Sequence, residues 1–212
     1  MARDAGDIDA LLARAAQGDE QALGELFARY QDRMKRMVKL RLDRRLSGRI
    51  DPSDVVQEAF LEARKRLPEL AQKRELPVLL WLRLVTGQKL IDLHRTHLGA
   101  KMRDAGLEVS LYRGALPEAS SMMLAGQLLG KLTTASHAAV RAEVRLQVQA
   151  ALNSLAPLDR EVLALRHFEQ LNNEETALVL GIKKSAASNR YVRSLARLKE
   201  ILSAIPGFSE NL

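Results

Sequence analysis

The stretch NEETALVLGIKKSAASNRYVR, residues 173–193, sets the fold of the C-terminal part of the chain. Asn173 can cap a short helix that carries two glutamates in its first turn, where the helix dipole favours acids. Gly181 suits the tight turn that follows, and a second helix begins at Lys184. This order predicts a helix-turn-helix, although a plain helical hairpin gives the same local signal.

The second helix of this motif has a composition that suits the major groove of DNA. Small residues such as Ser185 and Ala186 allow a close approach to the groove floor, and Asn189 and Arg190 can reach base edges. Lysines at the helix start favour phosphate. The residues predicted to contact the duplex are Lys183, Lys184, Ser185, Ser188, Asn189, Arg190 and Arg193.

Apolar residues recur at helical spacing through the rest of the chain as well. Asp19 can cap a long helix that fades near 47–48, and Asp51-Pro52 opens another that Pro68 is expected to end. Pro77 begins a helix that runs toward Gly99. Further helices are expected from about 138 and from 157. Because no alternating pattern of useful length appears, we predict an all-α fold.

Glycine, proline and paired hydroxyl residues interrupt this pattern over 105–140. A structureless connection of this length is unusual inside one compact domain, so we interpret it as a linker, with one weak helix over 118–132. The predicted organisation is therefore two small helical domains. An N-terminal helical bundle occupies 1–104, the helix-turn-helix domain occupies 141–205, and 206–212 forms a tail.

Charge and composition limit the functions that are open to the chain. It has 212 residues, 33 Lys+Arg, 26 Asp+Glu and no cysteine, which excludes disulfides, Cys-ligated zinc and a thiol nucleophile. Residues 31–104 carry 18 basic and 10 acidic groups, a net charge of +8. This excess favours a polyanion such as nucleic acid, although a merely solvated basic surface is the alternative.

Other function classes find little support in the sequence. No apolar run approaches the roughly 20 residues of a membrane span, and acids rather than an apolar signal core follow the N-terminus. We therefore expect a soluble, cytoplasmic protein. Neither a phosphate-binding loop nor a nucleophile elbow is present, so no enzyme activity and no cofactor are expected. His94 and His97 have a spacing that allows a metal, but only Asp92 lies near them, so no metal site is predicted.

Three motifs resemble the extracytoplasmic-function (ECF) sigma factors, which are small two-domain initiation subunits of bacterial RNA polymerase. DVVQEAF at 54–60 resembles the family's polymerase-clamp helix. WLRLV at 81–85, followed by Asp92, resembles the promoter-melting helix. LAPLDREVL at 155–163 resembles the start of the domain that reads the upstream promoter element. The sequence at 115–121 resembles a subgroup with a lengthened linker.

The resemblance implies partners and sites. The partners are core RNA polymerase (the β′ clamp and β), promoter DNA and, as a further candidate, an anti-sigma factor. The residues implied in polymerase binding are Asp54, Gln57 and Glu58, and those at the downstream promoter element are Arg83, Gln88, Lys89, Arg95 and Lys101. The predicted duplex contacts of the helix-turn-helix become contacts with the upstream element.

Alternatives remain open at this stage. The family often has Ala-Arg-Asn where this chain has Thr86-Gly87-Gln88, which leaves the basic contact to Lys89. Trp81 fits a core position better than a stack on DNA. Without the resemblance, Asp54, Gln57 and Glu58 would be interpreted as an ordinary solvated helix face. The alternative function is a helix-turn-helix regulator that binds duplex DNA as a dimer, although no long heptad seam supports a dimer.

Overall fold

The computed structural model describes residues 2–73, 75–98, 119–130 and 138–204, and within these ranges it contains helices and no strand. The prediction of an all-α fold is confirmed. The chain divides into two compact units, 1–116 and 117–212. The helices are α1 Ala2–Ala16, α2 Glu20–Arg41, α3 Pro52–Gln72, α4 Val78–Leu98, α5 Ser121–Gly130, α6 Ala138–Asn153, α7 Pro157–Leu163, α8 Asn173–Leu180 and α9 Lys184–Ser203.

Helix α2 is the centre of the first unit and packs against α1, α3 and α4. Its inner face includes Leu26, Met37 and Val38, which have no exposed surface. Phe27 of α2 stacks on Phe60 of α3 with ring centroids 4.3 Å apart. Burial of this stripe, at about 1.5–3 kcal/mol for each large side chain, holds the four helices together.

The helix starts in this unit follow the predicted caps. Asp19 Oδ1 accepts hydrogen bonds from the backbone N–H groups of Gln21 and Ala22, both at 3.0 Å. The bond from Ala22 is the main reason why the pKa of Asp19 is lowered. Asp51 Oδ1 accepts from the N–H of Ser53 at 2.7 Å, with proline at the first helical position of α3.

Two predicted helix ends are wrong. Pro68 lies inside α3, which continues to Gln72 because its apolar stripe continues and Leu70 is also buried. Helix α2 ends at Arg41, earlier than predicted. Just beyond it, the carboxylate of Asp43 accepts from the N–H of Arg45 at 2.8 Å, a local turn that competes with the helix.

The second unit consists of α5 to α9. Helix α5 packs on α6 and buries Leu124 and Ala125 completely, so part of the segment predicted as linker has a packed helix. Helix α7 begins at Pro157 as predicted, and a π-helical turn, Ala164–Phe168, follows it. Residues 105–118 and 131–137 of the predicted linker, and the tail, lie outside the described residues. The domain bounds stay a prediction.

Among the described residues, no helix is long and apolar enough to cross a membrane.

Candidate functional site

The helix-turn-helix begins with a reciprocal cap on α8. Asn172 Oδ1 accepts from the N–H of Glu175 at 2.9 Å, and Glu175 Oε2 accepts from the N–H of Asn172 at 2.7 Å. The predicted cap at Asn173 is therefore wrong by one residue. Asn173 is the first helical residue, and its Nδ2 donates to the backbone oxygen of Lys184 at 2.8 Å. This bond ties the start of α8 to the start of α9.

The turn between the two helices depends on Gly181. Its φ of 62° and ψ of 36° are left-handed, a conformation in which a side chain costs energy. The N–H of Ile182 then returns to the carbonyl of Ala177 at 3.0 Å, which satisfies an acceptor at the end of α8. The predicted glycine turn is confirmed.

Helix α9 has one buried face and one exposed face. Ala187, Ser194 and Leu198 lie on the buried face. The exposed face holds six of the seven residues predicted to contact DNA, namely Lys183 at the N-cap, Lys184, Ser185, Ser188, Asn189 and Arg193. Val192, which is 62% exposed, is an apolar member of this face that sequence reasoning missed. The sequence could have predicted its exposure, because Val192 follows Ser188 by four residues and Ser185 by seven and therefore lies on the same face of the helix.

Arg190, the seventh predicted contact, lies between the two faces. Its Nη1 lies 2.6 Å from Asp159 Oδ1, and the two side chains are only 31% and 29% exposed. The guanidinium of Arg166 lies 5.0 Å from the ring centroid of Tyr191, the next residue of α9. Both contacts fasten α9 to the helical segment before the helix-turn-helix. The structure thus gives Arg190 a partner that local sequence reasoning did not identify.

The outer face of α3 is polar with one apolar residue. Asp54, Gln57 and Glu58 are all exposed, opposite the buried residues Val55 and Val56. Leu61 continues this face at helical spacing and is 62% exposed. Sequence reasoning missed Leu61, although its spacing of three and four residues from the polar pair was visible. A partner protein that covered this face would remove the apolar area of Leu61 from water.

The residues predicted to meet the downstream element are not all on one surface. Gln88 and Lys89 are half-buried on α4, and Arg95 is exposed near its end. Arg83, however, is only 4% exposed and lies with Leu79 and Thr86 on the buried face, so its assignment to strand contact needs correction. Lys101 lies outside the described residues. Trp81 is half-buried.

The helical spacing of apolar residues did not predict the burial of Arg83, because the first half of α4 is buried on nearly every side. Val78, Leu79, Leu80, Leu82 and Val85 are all buried, so no single apolar stripe marks an outer face. A helix that is apolar all round belongs to a core.

His94 connects α4 to the turn after α2. The N–H of Asp43 donates to His94 Nε2 at 3.2 Å, and the histidine is buried. Burial lowers the pKa of His94, with a smaller opposing effect from the Asp43 carboxylate and a small lowering effect from Arg45. The bond to Arg45 in turn lowers the pKa of Asp43 to about 2. Nε2 of a neutral imidazole is thus used as an acceptor within the fold, and the described residues contain no cluster of three metal-ligating side chains.

Comparisons of the chain with known proteins match it to sigma factors. The family model for the ECF sigma factor matches residues 5–200. The chain is 27% identical over 197 residues to the ECF RNA polymerase sigma factor SigD of Mycobacterium tuberculosis, an alignment that covers 93% of this chain and 84% of SigD. It is 28% identical over 204 residues to the RNA polymerase sigma factor CnrH of Cupriavidus metallidurans, which covers 93% and 96%.

A solved structure supports the same fold. CnrH in complex with the cytosolic domain of CnrY aligns with a TM-score of 0.55 at 24% identity, covering 93% of this chain and 98% of the CnrH chain. At this identity the likeness shows the fold alone. The matched residues, 5–200, span both units and include α3 and the helix-turn-helix. The protein therefore belongs to the ECF sigma factor family.

Proposed function

We propose that this protein is the sigma subunit that binds core RNA polymerase and directs promoter recognition, promoter melting and transcription initiation. Family membership over nearly the whole chain carries the proposal. Exposed surfaces on both units supply the separate contacts that such a subunit needs. The chain provides recognition, and the polymerase provides the chemistry.

Helix α9 is proposed to enter the major groove of the upstream promoter element. Its exposed residues near the N-terminus are small or polar, so the helix can approach the groove floor. Asn189 and Arg193 lie one turn apart, and both types of side chain can form paired hydrogen bonds with base edges. Lys183 and Lys184 lie at the helix start, where they favour phosphate.

The outer face of α3 is proposed to bind the β′ clamp of the polymerase. Asp54, Gln57 and Glu58 offer acceptors and charge there, and Leu61 offers apolar area. Exposure of all four residues supports the proposal, because their side chains are accessible to a partner protein. No buried group has to be uncovered for this contact.

The end of α4 is proposed to meet the melted strand of the downstream element. Gln88, Lys89 and Arg95 remain candidates there, together with Lys101. Cationic side chains track a single strand, and Gln can pair with an adenine edge. Arg83 is left out of this surface because it is buried.

Two further parts of the proposal concern the linker and the partners. The predicted linker, within 105–140, is proposed to pass through the polymerase toward its RNA exit path, so that both DNA contacts form together and reinforce each other. The CnrH structure contains the cytosolic domain of CnrY. By analogy, we propose that this chain acts in the cytoplasm and has a protein partner that masks it, an anti-sigma factor.

Run-off transcription with purified core polymerase tests the proposal. A Gln57→Ala, Glu58→Arg double variant should lose assembly with core polymerase, because a reversed charge at a polar interface costs several kcal/mol. Its free energy of unfolding should change by less than about 0.5 kcal/mol, since both side chains are exposed.

The matched control is Glu25→Arg, which makes the same charge reversal at an exposed position of α2, outside the proposed surface. It should assemble and transcribe as the wild type does. Wild-type affinity of the double variant for core polymerase would contradict the clamp assignment. A tight homodimer in sedimentation, together with no transcription from core polymerase, would instead favour a helix-turn-helix regulator.

A further inference from the structure

The contact between Asp159 and Arg190 lies outside the exposed surface of α9 but next to the residues proposed to read bases. Arg190 follows Asn189 directly and precedes Arg193 by three residues. Its Nη1 lies 2.6 Å from Asp159 Oδ1 in the first turn of α7. An acid at that position is also favoured by the helix dipole.

Partial burial distinguishes this ion pair from the exposed pair between Glu174 and Lys184. Asp159 and Arg190 are 29% and 31% exposed. Glu174 and Lys184 lie 3.2 Å apart at 70% and 65% exposure. Solvent screens the exposed pair, which therefore restrains α9 weakly, whereas the shielded pair fixes a guanidinium in one place.

The restraint acts on the rotation of α9 about its own axis. The bond from Asn173 Nδ2 holds the first turn of α9 through the carbonyl of Lys184. The second turn is held at Arg190 by Asp159 and at Tyr191 by Arg166. Side-chain tips lie about 5–6 Å from a helix axis, so a rotation of about 20° would displace them by about 2 Å. Such a displacement is larger than a hydrogen bond to a base edge tolerates.

We infer that Asp159 is a positioning residue for promoter discrimination. Through Arg190 it sets the rotation of α9, while Asn189 and Arg193 contact the bases. This inference rests on the proposed function and assigns Arg190 a different role from the base contact that the sequence predicts. Asp159 itself touches no DNA.

The test compares two DNA duplexes bound by the holoenzyme, the full chain assembled with core polymerase. One duplex is selected from a random pool by the wild-type holoenzyme, and the other is its scrambled counterpart. Asp159→Ala should lower the ratio of the two affinities about tenfold, the value of one good base contact. It should also raise the affinity for the scrambled duplex and steepen the salt dependence by about one charge, because Arg190 is released toward phosphate.

Further variants separate positioning from direct reading. Arg190→Ala should lower the ratio as much as Asp159→Ala but without tighter binding of the scrambled duplex. The double variant should lower the affinity ratio no further than either single variant, because both substitutions remove the same contact between Asp159 and Arg190. Asp159→Glu should keep the ratio within about threefold by restoring the charge-assisted bond. The exposed pair gives the control, and Glu174→Ala should keep the wild-type ratio.

The outcomes separate this inference from the function on which it rests. If Asp159→Ala keeps the wild-type ratio while Arg190→Ala loses it, Arg190 reads bases directly and the inference is wrong. Asp159→Leu keeps a similar branched side chain but has no oxygen to accept from Arg190, so it gives the same decision should the alanine variant unfold. If Asn189→Ala and Arg193→Ala lose discrimination but Asp159→Leu keeps it, only the positioning role fails. A wild-type holoenzyme that prefers no sequence would contradict the proposed function and this inference with it.

Discussion

Leu61→Ala should weaken binding to core polymerase without destabilising the protein. Leu61 is 62% exposed on the same face of α3 as Gln57 and Glu58. Full burial of a leucine side chain contributes about 1.5–3 kcal/mol. Burial of the exposed 62% in an interface would therefore contribute about 1–2 kcal/mol, which corresponds to about a 5- to 30-fold change in Kd. The free energy of unfolding should change by less than about 0.5 kcal/mol.

The assay is titration of a fluorescently labelled full chain with core polymerase, alongside thermal unfolding of the free chain. Val192→Ala is the matched control, because Val192 has the same 62% exposure but lies on α9, on the face assigned to DNA. Without DNA present, it should bind core polymerase as the wild type does. An unchanged Kd for Leu61→Ala, or an equal loss for both variants, would refute the assignment of the clamp contact to this face of α3.

The remaining predictions concern stability and DNA affinity. Burial lowers the pKa of His94 below its usual 6.5, so the unfolded chain binds a proton more readily, and the free energy of unfolding should fall as pH drops below that value. Thermal unfolding between pH 8 and 5 should show this decline in the wild type and a flatter profile in His94→Gln, and identical slopes would contradict it. Asn172→Ala removes the side-chain cap of α8 and should cost about 1 kcal/mol in chemical denaturation. A cost near zero would mean that water replaces the cap. Lys184→Ala should weaken binding to all DNA sequences equally and reduce the salt dependence by about one charge. A change in base preference instead would place Lys184 among the base contacts.

Local chemistry explains the features that could be predicted from the sequence. Asp19, Asp51 and Gly181 act within a few residues of themselves, either by accepting neighbouring N–H groups or by adopting a left-handed backbone. Helical spacing of apolar residues separates the buried face of α9 from its exposed face in the same local way. The all-α fold and most of the exposed face of α9 follow from such short-range rules.

Two of the errors occurred where a distant residue decides the outcome. Pro68 was expected to end α3, but burial of Leu70 in the core favours continuation of the helix past it. Arg83 looked like a surface cation, yet the first half of α4 is enclosed by neighbouring helices.

The sequence by itself determined most of the helices, the caps at Asp19 and Asp51, the glycine turn and the motifs of the family, because each depends on residues within one or two turns. Only the tertiary structure decided the partner of Arg190, which lies 31 residues away at Asp159, and that of His94, which lies 51 residues away at Asp43. It also decided that Arg83 is buried. The physical reason is that burial and long-range pairing depend on how helices pack, and no short window of sequence contains that information.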